Sequence, residues 1–100
     1  MGKAERRQKR LAEGWQALER GDLRLAEETA RAAVPDSEAL SLLGIVLIQQ
    51  GRHEDAVKAF TSALERGPRL PATYNNLGNA LVQVGRHEEA VPLFQKAIAL

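Results

Sequence analysis

Residues 51–57 read GRHEDAV, and residues 85–91 read GRHEEAV. Two near-copies, 34 positions apart in a chain of 100 residues, pose a choice. A His-Glu pair suggests a metal or a proton relay, whereas a fixed interval suggests a structural repeat. Sliding the chain by 34 sets residues 37–66 over 71–100. Twelve of the 30 pairs are identical: 43/77, 44/78, 47/81, 49/83, 51/85, 52/86, 53/87, 54/88, 56/90, 57/91, 60/94 and 63/97. Self-similarity at this period is the mark of a repeat architecture.

Within one unit, Leu40, Leu43, Gly44 and Leu47 fall at i, i+3, i+4 and i+7, the stripe of a helix face. Gly51 ends that helix as a left-handed cap. A second helix begins near His53, with Glu54 and Asp55 in its first turn, where the macrodipole favours anions. Its stripe is Ala56, Phe60, Ala63 and Leu64, and Gly67-Pro68 closes it. Each unit is therefore a helical hairpin. Gly44, Gly78 and the paired alanines leave gaps that let the two backbones approach to the low end of the usual spacing of about 8–10 Å. Phe60 and Phe94 are expected to fill the space between neighbouring hairpins.

Composition agrees. The chain is 44% hydrophobic but 4% aromatic, and the strong helix formers Ala, Leu, Glu, Arg and Gln dominate. An all-α fold follows, built as a solenoid of stacked antiparallel helical hairpins. No cysteine is present, which removes disulfides, thiolate catalysis and Cys-type zinc sites. No apolar run approaches the roughly 20 residues of a membrane span. No signal-peptide core follows the basic start, so a cytoplasmic location is expected. The net charge of +1 disfavours nucleic-acid binding by the domain as a whole, although residues 1–10 hold five Lys or Arg against one Glu. That start reads either as an arm for phosphates or acidic lipids, or as a solvated helix start.

The periodic residues resemble the tetratricopeptide-repeat family, whose 34-residue unit runs large residue, Leu-Gly, large residue, Gly, Ala, aromatic, Ala and closing Pro. The matching positions are Leu40, Leu43-Gly44, Leu47, Gly51, Ala56, Phe60, Ala63 and Pro68. They recur as Tyr74, Leu77-Gly78, Leu81, Gly85, Ala90, Phe94 and Ala97. The expected organisation is one domain over 1–100: a basic arm at 1–6, a degenerate first repeat at 7–36, a second at 37–70, and an incomplete third at 71–100. In the first unit the Gly14/Gly21 spacing and Ala26/Ala33 recur, but Arg10 and Glu13 replace apolar positions and Ala30 replaces the aromatic. "VPD" at 34–36 arrives about four residues early, so the second helix there should be short.

The repeat answers the opening question. His53 and His87 sit two residues after the helix-ending glycine, where the first unit carries Leu23. A place that accepts Leu wants bulk against a turn, and no His-x3-His pair exists. The histidines read as structural, and no metal, cofactor or catalytic residue is expected. The only serines, Ser37, Ser41 and Ser62, have no partner that the sequence identifies, and phosphate-loop and nucleophile-elbow motifs are missing.

The resemblance implies a right-handed superhelix with first helices lining a concave face that receives a protein or peptide. Carried onto this chain, those positions are Leu11, Trp15 and Leu18; Ser41, Ile45 and Ile48; and Asn75, Asn79 and Val82, with Asn76 beside them. Each trio is spaced i, i+4, i+7 and makes a strip on its helix. Trp15, Ile45, Ile48 and Val82 would expose an apolar trough, and the asparagines would pair with a peptide backbone. The alternative is that Trp15 and Leu18 pack inside the first hairpin while Ile45 and Ile48 touch neighbouring helices. No basic residue stands where family members clamp a chaperone's carboxylate tail. The expected role is a non-catalytic interaction module; the other reading is a docking domain of a larger enzyme such as a protein-modifying transferase. The third unit stops inside its second helix, which reads as a cut from a longer multi-domain protein or as an end that pairs with another copy; the first is favoured, and self-association through Val91, Phe94, Ile98 and Leu100 is also expected.

Overall fold

The computed structural model describes residues 2–100; the first residue of the segment read as a basic arm lies outside them. Six helices follow in order: α1 (Lys3–Glu19), α2 (Leu23–Ala33), α3 (Ser37–Gln49), α4 (His53–Arg66), α5 (Pro71–Gln83) and α6 (His87–Ala99). Among the described residues there is no strand. Residues 3–6 of the basic start form the first turn of α1 and are exposed.

The helices end for reasons legible in their residues. Gly21, Gly51 and Gly85 all adopt positive φ, between +77° and +82°. The Gly51 N–H donates to the Ile48 carbonyl at 2.9 Å and the Arg52 N–H to the Leu47 carbonyl at 2.8 Å. That pairing satisfies the carbonyls a helix end leaves open, and it recurs at Gly21 and Gly85. Asp22 and Asp36 cap α2 and α3, their carboxylates accepting from the N–H of Leu25 and from those of Glu38 and Ala39. Pro71 starts α5 at a position where a missing N–H costs nothing. Helix α2 has 11 residues against 14 in α4, so the second helix of the first hairpin is indeed short.

Consecutive helices pack in a chain, α1 on α2, α2 on α3, and so on to α6. First helices also approach one another, α1 to α3 and α3 to α5, whereas α2 and α4, or α4 and α6, do not. The stack therefore bends toward its first helices, making that side concave. It measures 44 × 26 × 19 Å. The core centres on α3, which buries seven residues, and on Phe60 of α4; Leu42, Val46 and Leu47 are the other largest fully buried side chains. Helix α6 buries Ala90 alone, and Val91, Ile98 and Leu100 stay exposed.

The phenylalanines seat against the first helices of their own hairpins. A Cβ placed on Gly44 would lie 2.6 Å from the Phe60 ring, and one on Gly78 would lie 2.7 Å from the Phe94 ring. The missing side chain of the first helix is the socket for the aromatic of the second, so the ring sets the close approach within the hairpin. In the first hairpin, Ala30 leaves that socket empty. Thr29 and, from the next hairpin, Leu42 fill it, both lying within 3 Å of where a Gly14 Cβ would stand. The degenerate unit is thereby locked to its neighbour.

Candidate functional site: the concave face

The first helices place the three strips on adjacent elements. On α1, Trp15 and Leu18 are half-buried; on α3, Ser41, Ile45 and Ile48 are half-buried; on α5, Val82 is half-buried while Asn75 and Asn79 are exposed. Trp15, Leu18, Ile45, Ile48 and Val82 all pack against the core. Each therefore spends part of its apolar surface between helices and leaves the rest facing out. Leu11 is 2% exposed and contributes nothing to the surface. Asn76, next to Asn75 in sequence, lies about 100° round the helix and is half-buried.

The Trp15 ring is fixed by more than packing. Its Nε1–H donates to Glu38 Oε1 at 3.2 Å, linking α1 to the start of α3. A buried or half-buried indole normally finds such a partner, and here the bond holds the ring between two first helices. At the far end Lys96 Nζ stands 5.7 Å from the Tyr74 ring centroid, a cation–π distance.

Charge is organised elsewhere, on the turns. Arg52 Nη1 reaches Glu27 on α2 at 3.2 Å, and Gln50 and Arg31 also donate to Glu27, at 2.9 Å and 2.8 Å. The Gln50 and Arg31 hydrogen bonds, with Arg52 adding to them, lower the Glu27 carboxyl to about 2. One hairpin later, Arg86 Nη1 reaches Glu54 at 3.0 Å and its other nitrogens bind Glu89. Each turn arginine thus bridges back to the preceding hairpin and forward into its own helix. The repeated Gly-Arg carried that signal, but the acid partner lies 25 or 32 residues away and no local pattern points to it.

The histidines open their helices. His53 is half-buried, with Nδ1 buried and without a hydrogen-bond partner, and His87 is exposed. Among the described residues no group of three or more His, Cys, Asp or Glu could hold a metal ion, and no helix is long and apolar enough to cross a membrane.

The family model for the tetratricopeptide repeat matches residues 36–100. Among solved structures, MamA of AMB-1 superposes with a TM-score of 0.79 at 27% identity, over 87% of this chain and 50% of that one. A MamA point mutant gives 0.81 at 26% identity, over 94% of this chain and 72% of that one. Another MamA crystal structure, at 23% identity, gives 0.83 over 93% of this chain and 57% of its own, a likeness of fold alone. The chain spans little more than half the length of most of the MamA structures it matches. No curated protein sequence matches it. With two helical hairpins in family register over 36–100 and a third packed before them, the chain belongs to the tetratricopeptide-repeat family, whose members serve as protein–protein interaction modules.

Proposed function

We propose that the concave face grips a protein segment, with Trp15, Leu18, Ile45, Ile48 and Val82 forming an apolar trough. Asn75, Asn76 and Asn79 form a polar end that hydrogen-bonds the segment's backbone, and Ser41 stands between the two. The observation that carries this reading is the half-burial of five large apolar side chains on three adjacent first helices. Such residues are anchored from behind, so they lose little rotamer freedom when a ligand covers the remaining face, which lowers the cost of binding. Side-chain amides that both donate and accept suit an extended chain. Binding is the whole activity proposed. The test is to select peptides on the domain from a random library and titrate them while following Trp15 emission. A spectral shift that saturates with binding supports the trough; binding with unchanged emission removes Trp15 from it.

A second contact surface is proposed at the C-terminal face, where Val91 is 53%, Ile98 87% and Leu100 66% exposed. Apolar exposure of this kind favours pairing with another copy. Light scattering should show association that rises with concentration and falls in an Ile98→Glu variant. A concentration-independent monomer contradicts it.

A further inference from the structure

Helix α1 has 17 residues and α2 has 11. At 1.5 Å per residue, α1 outruns its partner by about 9 Å. From Leu11 onward, one face of α1 is buried, through Leu11, Gly14 and Ala17. Arg7 precedes Leu11 and Gly14 by four and seven residues, and Arg10 precedes Gly14 and Ala17 by the same intervals. The overhanging part of that face therefore carries cations where its continuation carries core. The early "VPD" turn is what strips the cover from it.

A groove of about 530 Å³ results. Lys3, Arg6, Arg7 and Arg10 line one wall, and the segment from Ala32 to Asp36 lines the other. Val34, 39% exposed, and Pro35 give that second wall an apolar surface. Asp36 is the one acid of the lining, 3.9 Å from Arg7, and its other carboxylate oxygen caps α3. Leaving Arg6 aside, Lys3, Arg7 and Arg10 against Asp36, beside an apolar strip, are an unbalanced charge in a concave place, where fields are focused.

We infer that this groove is a second docking site, taking an acidic protein segment that carries an apolar residue among its carboxylates. Carboxylates pair with the guanidinium forks of Arg7 and Arg10, and the apolar residue covers Val34 and Pro35. A nucleic-acid strand fits less well: the lining has no aromatic side chain for base stacking, and an apolar wall gives a phosphate backbone nothing. The site is separate from the concave trough and stands or falls without it.

The probe is a short glutamate-rich peptide with one central leucine, fluorescein-labelled, titrated against the full chain by polarisation. The expected result is saturable binding that weakens as ionic strength rises from about 0.01 M to about 0.15 M and the screening length falls to about 8 Å. Arg7→Glu/Arg10→Glu should weaken binding at least about tenfold, a loss of about 1.4 kcal/mol, with helix content unchanged by circular dichroism. Arg7→Gln/Arg10→Gln gives the same direction with less risk to folding. The control Lys58→Glu/Arg69→Glu changes net charge equally on distant exposed positions and should leave affinity within about twofold. Replacing the peptide's leucine by glycine should weaken it severalfold. Absence of binding, equal loss in control and groove variants, indifference to the leucine, or tighter binding of an oligothymidylate strand would each overturn the assignment.

Discussion

Arg52, in the turn of the second hairpin, places its guanidinium 3.2 Å from the Glu27 carboxylate on the second helix of the hairpin before. With Gln50 and Arg31 on the same carboxylate, Glu27 accepts three side-chain hydrogen bonds. Its folded pKa, about 2, lies below the ordinary value of 4.5. A carboxyl depressed on folding contributes stability above its unfolded pKa, and that contribution drains away as pH falls toward the folded value. The melting temperature should therefore drop between pH 4.5 and pH 2. Glu27→Gln should flatten that drop while lowering stability at pH 7. A variant with the wild-type pH profile would remove Glu27 from the linkage.

The two glycine–aromatic sockets should respond unequally. Phe60 is fully buried over Gly44, while Phe94 is half-exposed over Gly78. Alanine is the better helix former by about 1 kcal/mol, but overpacking a closed site costs roughly 1–3 kcal/mol. Gly44→Ala should thus destabilise, and Gly78→Ala should cost less because its ring has room to shift outward. Phe60→Ala should lose roughly 3–5 kcal/mol, and Phe94→Ala clearly less. Urea denaturation of the four variants checks the order.

Gly51 isolates a backbone effect. Nothing lies within 4 Å of the place a Cβ would take, and φ is +77°. Gly51→Ala should therefore cost roughly 1–2 kcal/mol through the left-handed conformation alone. Gly51→Asn should recover part of that loss, which the same denaturation assay reads.

Pro92 lies inside α6, where the preceding hairpin has Lys58. An interior proline removes one helix hydrogen bond and crowds the preceding turn, at a cost of about 3 kcal/mol or more. Pro92→Lys should raise the melting temperature and the helix content. No gain on either measure would mean that α6 already bends to suit the ring.

What the sequence showed, and what it hid, divides by the range of the interaction. The glycine caps and the acid-rich first turns act over one or two helical turns, and with the 34-residue interval they place the hairpins. The seat of Phe60 depends on how closely two backbones approach, and Gly44 shows that only once the helices are packed. Arg52 and Arg86 find acids a whole hairpin away. The early turn at Val34–Asp36 was readable as a short α2, but the basic groove follows from the length of α1, which begins earlier than the repeat pattern indicates. On the concave face the strips were readable by family register; the burial of Leu11 was not, because Arg7 and Arg10 hide that it begins the core face of α1.

The most direct measurement of the central proposal is the affinity of a library-selected peptide for the wild-type domain and for Ile45→Glu, in parallel with circular dichroism. Ile45 is half-buried at the middle of the trough. A charge there should weaken binding by at least tenfold, about 1.4 kcal/mol, while the helical spectrum is retained. Unchanged affinity in a folded Ile45→Glu domain would place the binding surface somewhere other than the concave face.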